Sequence, residues 1–156
     1  MGGDAVSKDD EGVSGGGSAV RKAKRHINGF INYLFTTYDV PRIPVRVKYG
    51  YDVVKTPSGA GFGVYIENSD GTNPCIYVGC GKLGKSVTMK CIAHEFVHYM
   101  QSLHNRGWNS LPEIESDAEY WAEALFNQYR INKKSKQICI EGVANIWESK
   151  PEAGVL

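Results

Sequence analysis

Two histidines one helical turn apart, with a glutamate beside the first, constrain this chain more than any other feature. Residues 94–98 read His-Glu-Phe-Val-His. They fall inside a helical pattern from about Ser86 to Leu103, in which Met89, Ile92, Phe96, Met100 and Leu103 recur at apolar positions. Four residues of helix turn through about 400°, so both imidazoles leave the same side and can grip one ion. Glu95 then lies about 100° around from His94 and about 60° from His98, beside the metal position without blocking it. A base for an activated water belongs there. Ile92 and Phe96 lie on the far side and anchor the helix in a core. The pattern predicts a zinc ion (Zn2+) held by His94 and His98, with Glu95 catalytic.

The rest of the chain has to supply that core. Its 156 residues suit one domain, and 42% apolar with 22% charged residues is a globular balance. A net charge of +1 excludes a polycation built to coat nucleic acid, so no direct nucleic-acid binding is expected. No stretch approaches the roughly 20 apolar residues of a membrane span, so no membrane partner is expected. The opening Met-Gly-Gly-Asp carries no apolar signal region, and Val6 stands where myristoylation wants Ser or Thr. A cytoplasmic protein is expected. The cysteines (Cys75, Cys80, Cys91 and Cys139) show no CxxC spacing and read as reduced thiols. Cys91, one turn before the histidine pair, reads as a small buried hydrophobe rather than a ligand.

Residues 1–18 are rich in glycine and acidic side chains and poor in apolar ones, which predicts a disordered tail. Ser18 reads as an N-cap. Val20, Ala23, Ile27, Phe30, Ile31, Leu34 and Tyr38 follow at helical spacing, with Arg21, Lys22, Lys24 and Arg25 on a solvated opposite face. After Pro41 and Pro44, the alternation in 45–49 predicts a strand. Thr56-Pro57-Ser58-Gly59 predicts a turn, Phe62, Val64 and Ile66 a second strand, and 75–78 a third. A last helix is expected from Glu113 to Ile131, with Ala118, Trp121, Ala122, Leu125 and Tyr129 on one face. Residues 138–140 read as a short strand and 149–156 as a loose tail. Helix, three strands, helix, helix predicts an α+β domain over 19–148.

A catalytic zinc site usually takes three protein ligands and leaves one position open. Glu115 lies one turn before Ala118 and two before Ala122, which puts it on the inward face as the expected third ligand. Glu119, one turn further, is placed to hydrogen-bond the outer nitrogen of a ligating histidine. Two competitors remain open. Glu113 with Asp117 forms the same pair in another register, and His104 stands six residues after His98 at metzincin spacing. The metzincin arrangement wants a glycine where Gln101 stands.

His-Glu-Phe-Val-His followed by Glu115-x-x-Ala118-Glu119-x-Trp121-Ala122-x-x-Leu125-Phe126 resembles the compact gluzincin-type peptidases, and most closely the ImmA/IrrE-like metallopeptidase domain. The resemblance spans roughly residues 60–130 as an order of elements and about ten positions as motif. Glu119 stands where that family has Asn or Asp, Trp121 where it has Phe, and Val97 where a small residue is common. The resemblance implies a minimal zincin-like fold, zinc bound by His94, His98 and Glu115, and Glu95 as the base. It also implies a protein or peptide substrate inside the cell, such as a regulatory protein. The expected docking edge for that substrate is 75–79. Tyr99, His104, Arg106 and Tyr120 are the candidates for oxyanion stabilisation.

A rival motif lies just upstream. Gly79-Cys80-Gly81-Lys82-Leu83-Gly84-Lys85-Ser86 matches the phosphate-binding pattern G-x-x-x-x-G-K-S, after a strand and before a helix. The chain beyond it has no further parallel strands to complete a nucleotide-binding sheet, and no strand ending in a magnesium-holding Asp. A glycine–lysine turn with Ser86 capping the next helix is the expectation. Nucleotide binding through Lys85, and a zincin-like binding module without turnover, stand as the alternatives.

Overall fold

A computed structural model of the chain describes residues 17–104 and 110–135. The expected tails (apart from residues 17 and 18), the short strand at 138–140, Arg106 and Cys139 lie outside these residues. The elements are α1 (Gly17–Tyr38), β1 (Val45–Tyr49), β2 (Val54–Thr56), β3 (Gly59–Gly61), β4 (Gly63–Ile66), β5 (Cys75–Cys80), α2 (Lys85–His104) and α3 (Leu111–Ser135). Among the described residues, three helices and a small mixed sheet make an α+β fold. No helix among the described residues is long and apolar enough to cross a membrane.

The first helix starts at Gly17, so Gly17 and Ser18 belong to the helix and Ser18 is not its cap. Its apolar stripe of Ala23, Ile27, Phe30, Ile31, Leu34 and Phe35 is buried, while Arg21, Lys24 and Arg25 face solvent. The helix ends where Asp39 turns into the left-handed region at φ 51°, and Pro41 follows. Burying each large side chain of such a stripe contributes about 1.5–3 kcal/mol.

The sheet has the order β1-β5-β4, with β1 parallel and β4 antiparallel to β5. That corrects the expected docking edge. Residues 75–79 lie in β5, whose backbone is paired on both sides, and β4 is an edge strand instead. Val45, Val47 and Tyr49 alternate with the exposed Arg46 and Lys48, and Ile76, Val78 and Cys80 are fully buried beneath the helices. The turn at residues 57–58 closes the antiparallel β2–β3 hairpin.

Helix α2 is held on every side. It packs against α3 most extensively, and also against β5, α1 and β4. Ile92, Ala93, Phe96 and Val97 are completely or almost completely buried. Leu103, expected in the same stripe, is 46% exposed because the helix has by then run past the core. The Tyr99 hydroxyl donates to the Pro41 carbonyl at 2.8 Å and ties α2 to the chain after α1. Helix α3 buries Ala118, Trp121, Ala122, Leu125 and Phe126. Phe30 of α1 meets Tyr129 edge-on at 4.9 Å and Phe126 at 6.2 Å, closing the core between first and last helix.

Candidate metal centre

The rigid pair α2 and α3 brings three sequence-expected groups to one point. His94 Nε2 lies 3.2 Å from His98 Nε2 and 3.0 Å from Glu115 Oε1. His98 Nε2 lies 3.3 Å from Glu115 Oε2. The ligand atoms of the three residues all fall within 4.8 Å of one another. Four donors placed tetrahedrally at bond lengths of about 2.0–2.1 Å are spaced about 3.3–3.4 Å apart along the edges. The two nitrogens lie close to that spacing and the carboxylate meets each of them with a different oxygen, so two imidazoles and a carboxylate could hold a small four-coordinate ion. The His94 and His98 side chains are 21% and 14% exposed, and that of Glu115 is 52% exposed, so the cluster opens to solvent on the Glu115 side.

Each histidine is oriented from behind. Glu119 Oε1 stands 3.4 Å from His94 Nδ1, the partner expected from its place on α3. His98 Nδ1 meets Gln101 Oε1 at 2.8 Å. The Gln101 amide donates to Asp117 Oδ2 at 3.0 Å and to the Ile114 carbonyl at 3.1 Å. With both Nδ1 atoms engaged, each Nε2 is directed at the shared point. Carboxylate and amide partners of this kind fix ring orientation and tautomer. Gln101 was missed as a functional residue, although its i+3 spacing from His98 on the helix was the available signal.

The residues of the competing ligand sets lie in different places. Asp117 is only 3% exposed and is engaged by Gln101, so it supports His98 from behind. Glu113 is not among the groups that converge, and His104 is exposed at the end of α2. The expected inward placement of Glu115 and Glu119 needs correcting, because both are exposed on the rim of α3 and Asp117 is the inward carboxylate. Cys91 is half-buried and lines a cavity with His94, and burial together with Glu95 and Glu119 pushes its thiol up to about 11. It is a neutral wall.

Glu95 is 8% exposed. Burial pushes its carboxyl up to about 7, against the pull of His98, with Glu115 adding to the rise and the Tyr65 backbone N–H opposing it. Gly63 makes room for it. A Cβ at Gly63 would stand 2.8 Å from Val78 Cγ1 and 3.4 Å from Glu95 Cγ, so glycine lets β4 lie directly over the helix. The strand runs past two cavities. Gly63 lines one of about 360 Å³ with Phe62, Cys91, His94 and Glu119. Tyr65 lines another of about 460 Å³ with Glu67, His98, Gln101 and Glu115. The histidine pair sits between them.

Among the expected oxyanion candidates, Tyr99 is 2% exposed and spends its hydroxyl on Pro41, and Tyr120 stacks edge-on against Trp121 at 5.1 Å. The glycine–lysine loop is also accounted for. Asp52 Oδ1 accepts from the Leu83 backbone N–H at 3.0 Å, and a Cβ at Gly81 would stand 2.7 Å from the same oxygen. A carboxylate of the chain itself therefore occupies the concavity where a phosphate would be cradled. Thr88 Oγ1 donates to the carbonyls of Gly79 at 3.0 Å and Gly84 at 3.2 Å, fixing the loop onto α2.

Comparison with known proteins finds no matching family model, no matching curated protein and no matching solved structure.

Proposed function

We propose that the chain is a zinc-dependent peptidase of minimal zincin-like fold, in which His94, His98 and Glu115 hold the metal and Glu95 is the general base. The observation that carries the reading is the convergence of two Nε2 atoms and one carboxylate within 4.8 Å, beside a buried carboxyl that is not among them. When bound, zinc would polarise the scissile carbonyl and lower the pKa of a water toward neutrality. Glu95 takes the proton from the attacking water and returns it to the departing amine. Its burial and its Tyr65 hydrogen bond hold the carboxyl in one orientation, so little is spent on positioning at the reacting bond. A peptide laid antiparallel against β4 as an added strand would have its side chains reach the two flanking cavities. A regulatory protein or other peptide remains the proposed substrate, and the cytoplasm the proposed compartment.

Glu95→Gln tests the reading. The amide keeps the shape and still accepts from Tyr65, yet cannot take a proton. The variant should retain zinc and lose about 10²- to 10⁴-fold in cleavage. A cell lysate digested with wild type should yield fragments absent from the Glu95→Gln digest. Zinc retained with equal cleavage by both forms would remove Glu95 from the chemistry. Zinc retained with no cleavage by wild type would leave a binding module.

A further inference from the structure

The cavity on the His98 side carries a carboxylate that neither the metal set nor the base uses. Glu67 directly follows β4 and is half-buried. Its Oε1 accepts from the Tyr65 hydroxyl at 2.7 Å and from Ser102 Oγ at 2.6 Å. Burial and the bond to Glu67 hold the Tyr65 phenol well above its ordinary value, so it stays a donor. Both donors are neutral. They fix the carboxylate in place without cancelling its charge, and no lysine, arginine or histidine among the described residues forms an ion pair with it. Leu111 and Ile114 complete the cavity with apolar surface. An apolar wall leading to an anchored carboxylate is the complement of a long aliphatic stem ending in a cation.

We propose that Glu67 is a specificity-determining residue, and that this cavity takes an arginine or lysine side chain of the substrate next to the scissile bond. The assignment rests on the peptidase reading for the word substrate, but the recognition itself is a matter of binding. The alternatives for the cavity fare worse. An acidic side chain would meet Glu67 and Glu115 together, and a wholly aliphatic one would cover a carboxylate that has only neutral partners. Removing the charge from one side of such a contact costs about 10- to 100-fold in affinity.

The test measures binding to the full-length Glu95→Gln chain by fluorescence anisotropy. The probes are three end-blocked, labelled alanine peptides with arginine, its neutral isostere citrulline, or glutamate at the centre. The arginine peptide should bind about 10- to 100-fold more tightly. Adding Glu67→Gln, which still accepts from Tyr65 and Ser102, should bring the arginine and citrulline peptides to equal affinity, and Glu67→Lys should reverse the preference toward the glutamate peptide. Glu123→Gln removes a charge from α3 outside the cavity, and should leave the discrimination in place. Equal binding of the arginine and citrulline peptides, no binding of either at millimolar concentration, or discrimination that survives Glu67→Gln would each overturn the assignment. The peptidase reading fails separately, if wild type cleaves nothing in the lysate while the Glu67-dependent preference stands.

Discussion

Replacing Glu95 by Gln in the metal-free protein should change how stability depends on pH. The carboxyl is 8% exposed and is pushed up from 4.5 to about 7, mainly by burial. Its neutral form is therefore the one the fold favours. The sign follows from linkage: below about pH 4.5 both folded and unfolded chains hold the proton, and the group is at its most favourable. As pH rises through 4.5 toward 7, the unfolded chain releases the proton first, and folded stability falls. A difference of about 2.5 units at 1.36 kcal/mol each is about 3 kcal/mol, lost by pH 8.5 and absent from the Gln variant. Urea unfolding of apo wild type and apo Glu95→Gln at pH 4.5 and 8.5 measures this as a difference of differences. Contributions from the other titrating groups largely cancel between the two chains. The gap between wild type and variant should move by about 3 kcal/mol in favour of Gln on going to pH 8.5. A gap that stays constant across that range would refute a buried, proton-holding Glu95.

Other consequences can be checked with single substitutions. Gln101→Leu should weaken zinc affinity about 10- to 100-fold in chelator competition while leaving the circular dichroism spectrum unchanged, because His98 loses its orienting partner. Phe30→Ala should cost about 3–5 kcal/mol in urea unfolding, since the ring is fully buried between Phe126 and Tyr129. Lys85→Ala should leave zinc content intact, and wild type should show no magnesium-dependent ATP affinity by calorimetry, because Asp52 already fills the loop.

Much of this was legible because it rests on local spacing. The α1 stripe, the β1 alternation and the inward face of α3 each follow a helical or strand period, and the buried residues fall where those periods put them. The His94, His98 and Glu115 set was legible for the same reason, as spacing within two helices. What escaped was non-local. Sheet order decides that β5 is central and β4 an edge, and nothing within 75–80 marks that. The β2–β3 hairpin has Gly-Ala-Gly as one arm, with no side-chain alternation to read. The inward carboxylate was assigned to Glu115 when it is Asp117, because the active-site rim lies at the border of the buried face. There two positions along the helix separate an exposed carboxylate from a buried one. Gln101 was within reach as the i+3 neighbour of His98, but its anchor Asp117 lies 16 residues away and the Ser102 partner of Glu67 lies 35 away, beyond the reach of any local pattern.

The central claim is that His94, His98 and Glu115 form a metal site, and metal content tests it most directly. Full-length protein loaded with zinc and dialysed free of excess should carry about one zinc per chain by plasma mass spectrometry. The His94→Ala/His98→Ala form, treated identically, should carry none, and Glu115→Ala should bind far more weakly than Glu113→Ala. Stoichiometric zinc retained by the double alanine form, or no zinc held by wild type, would contradict the account.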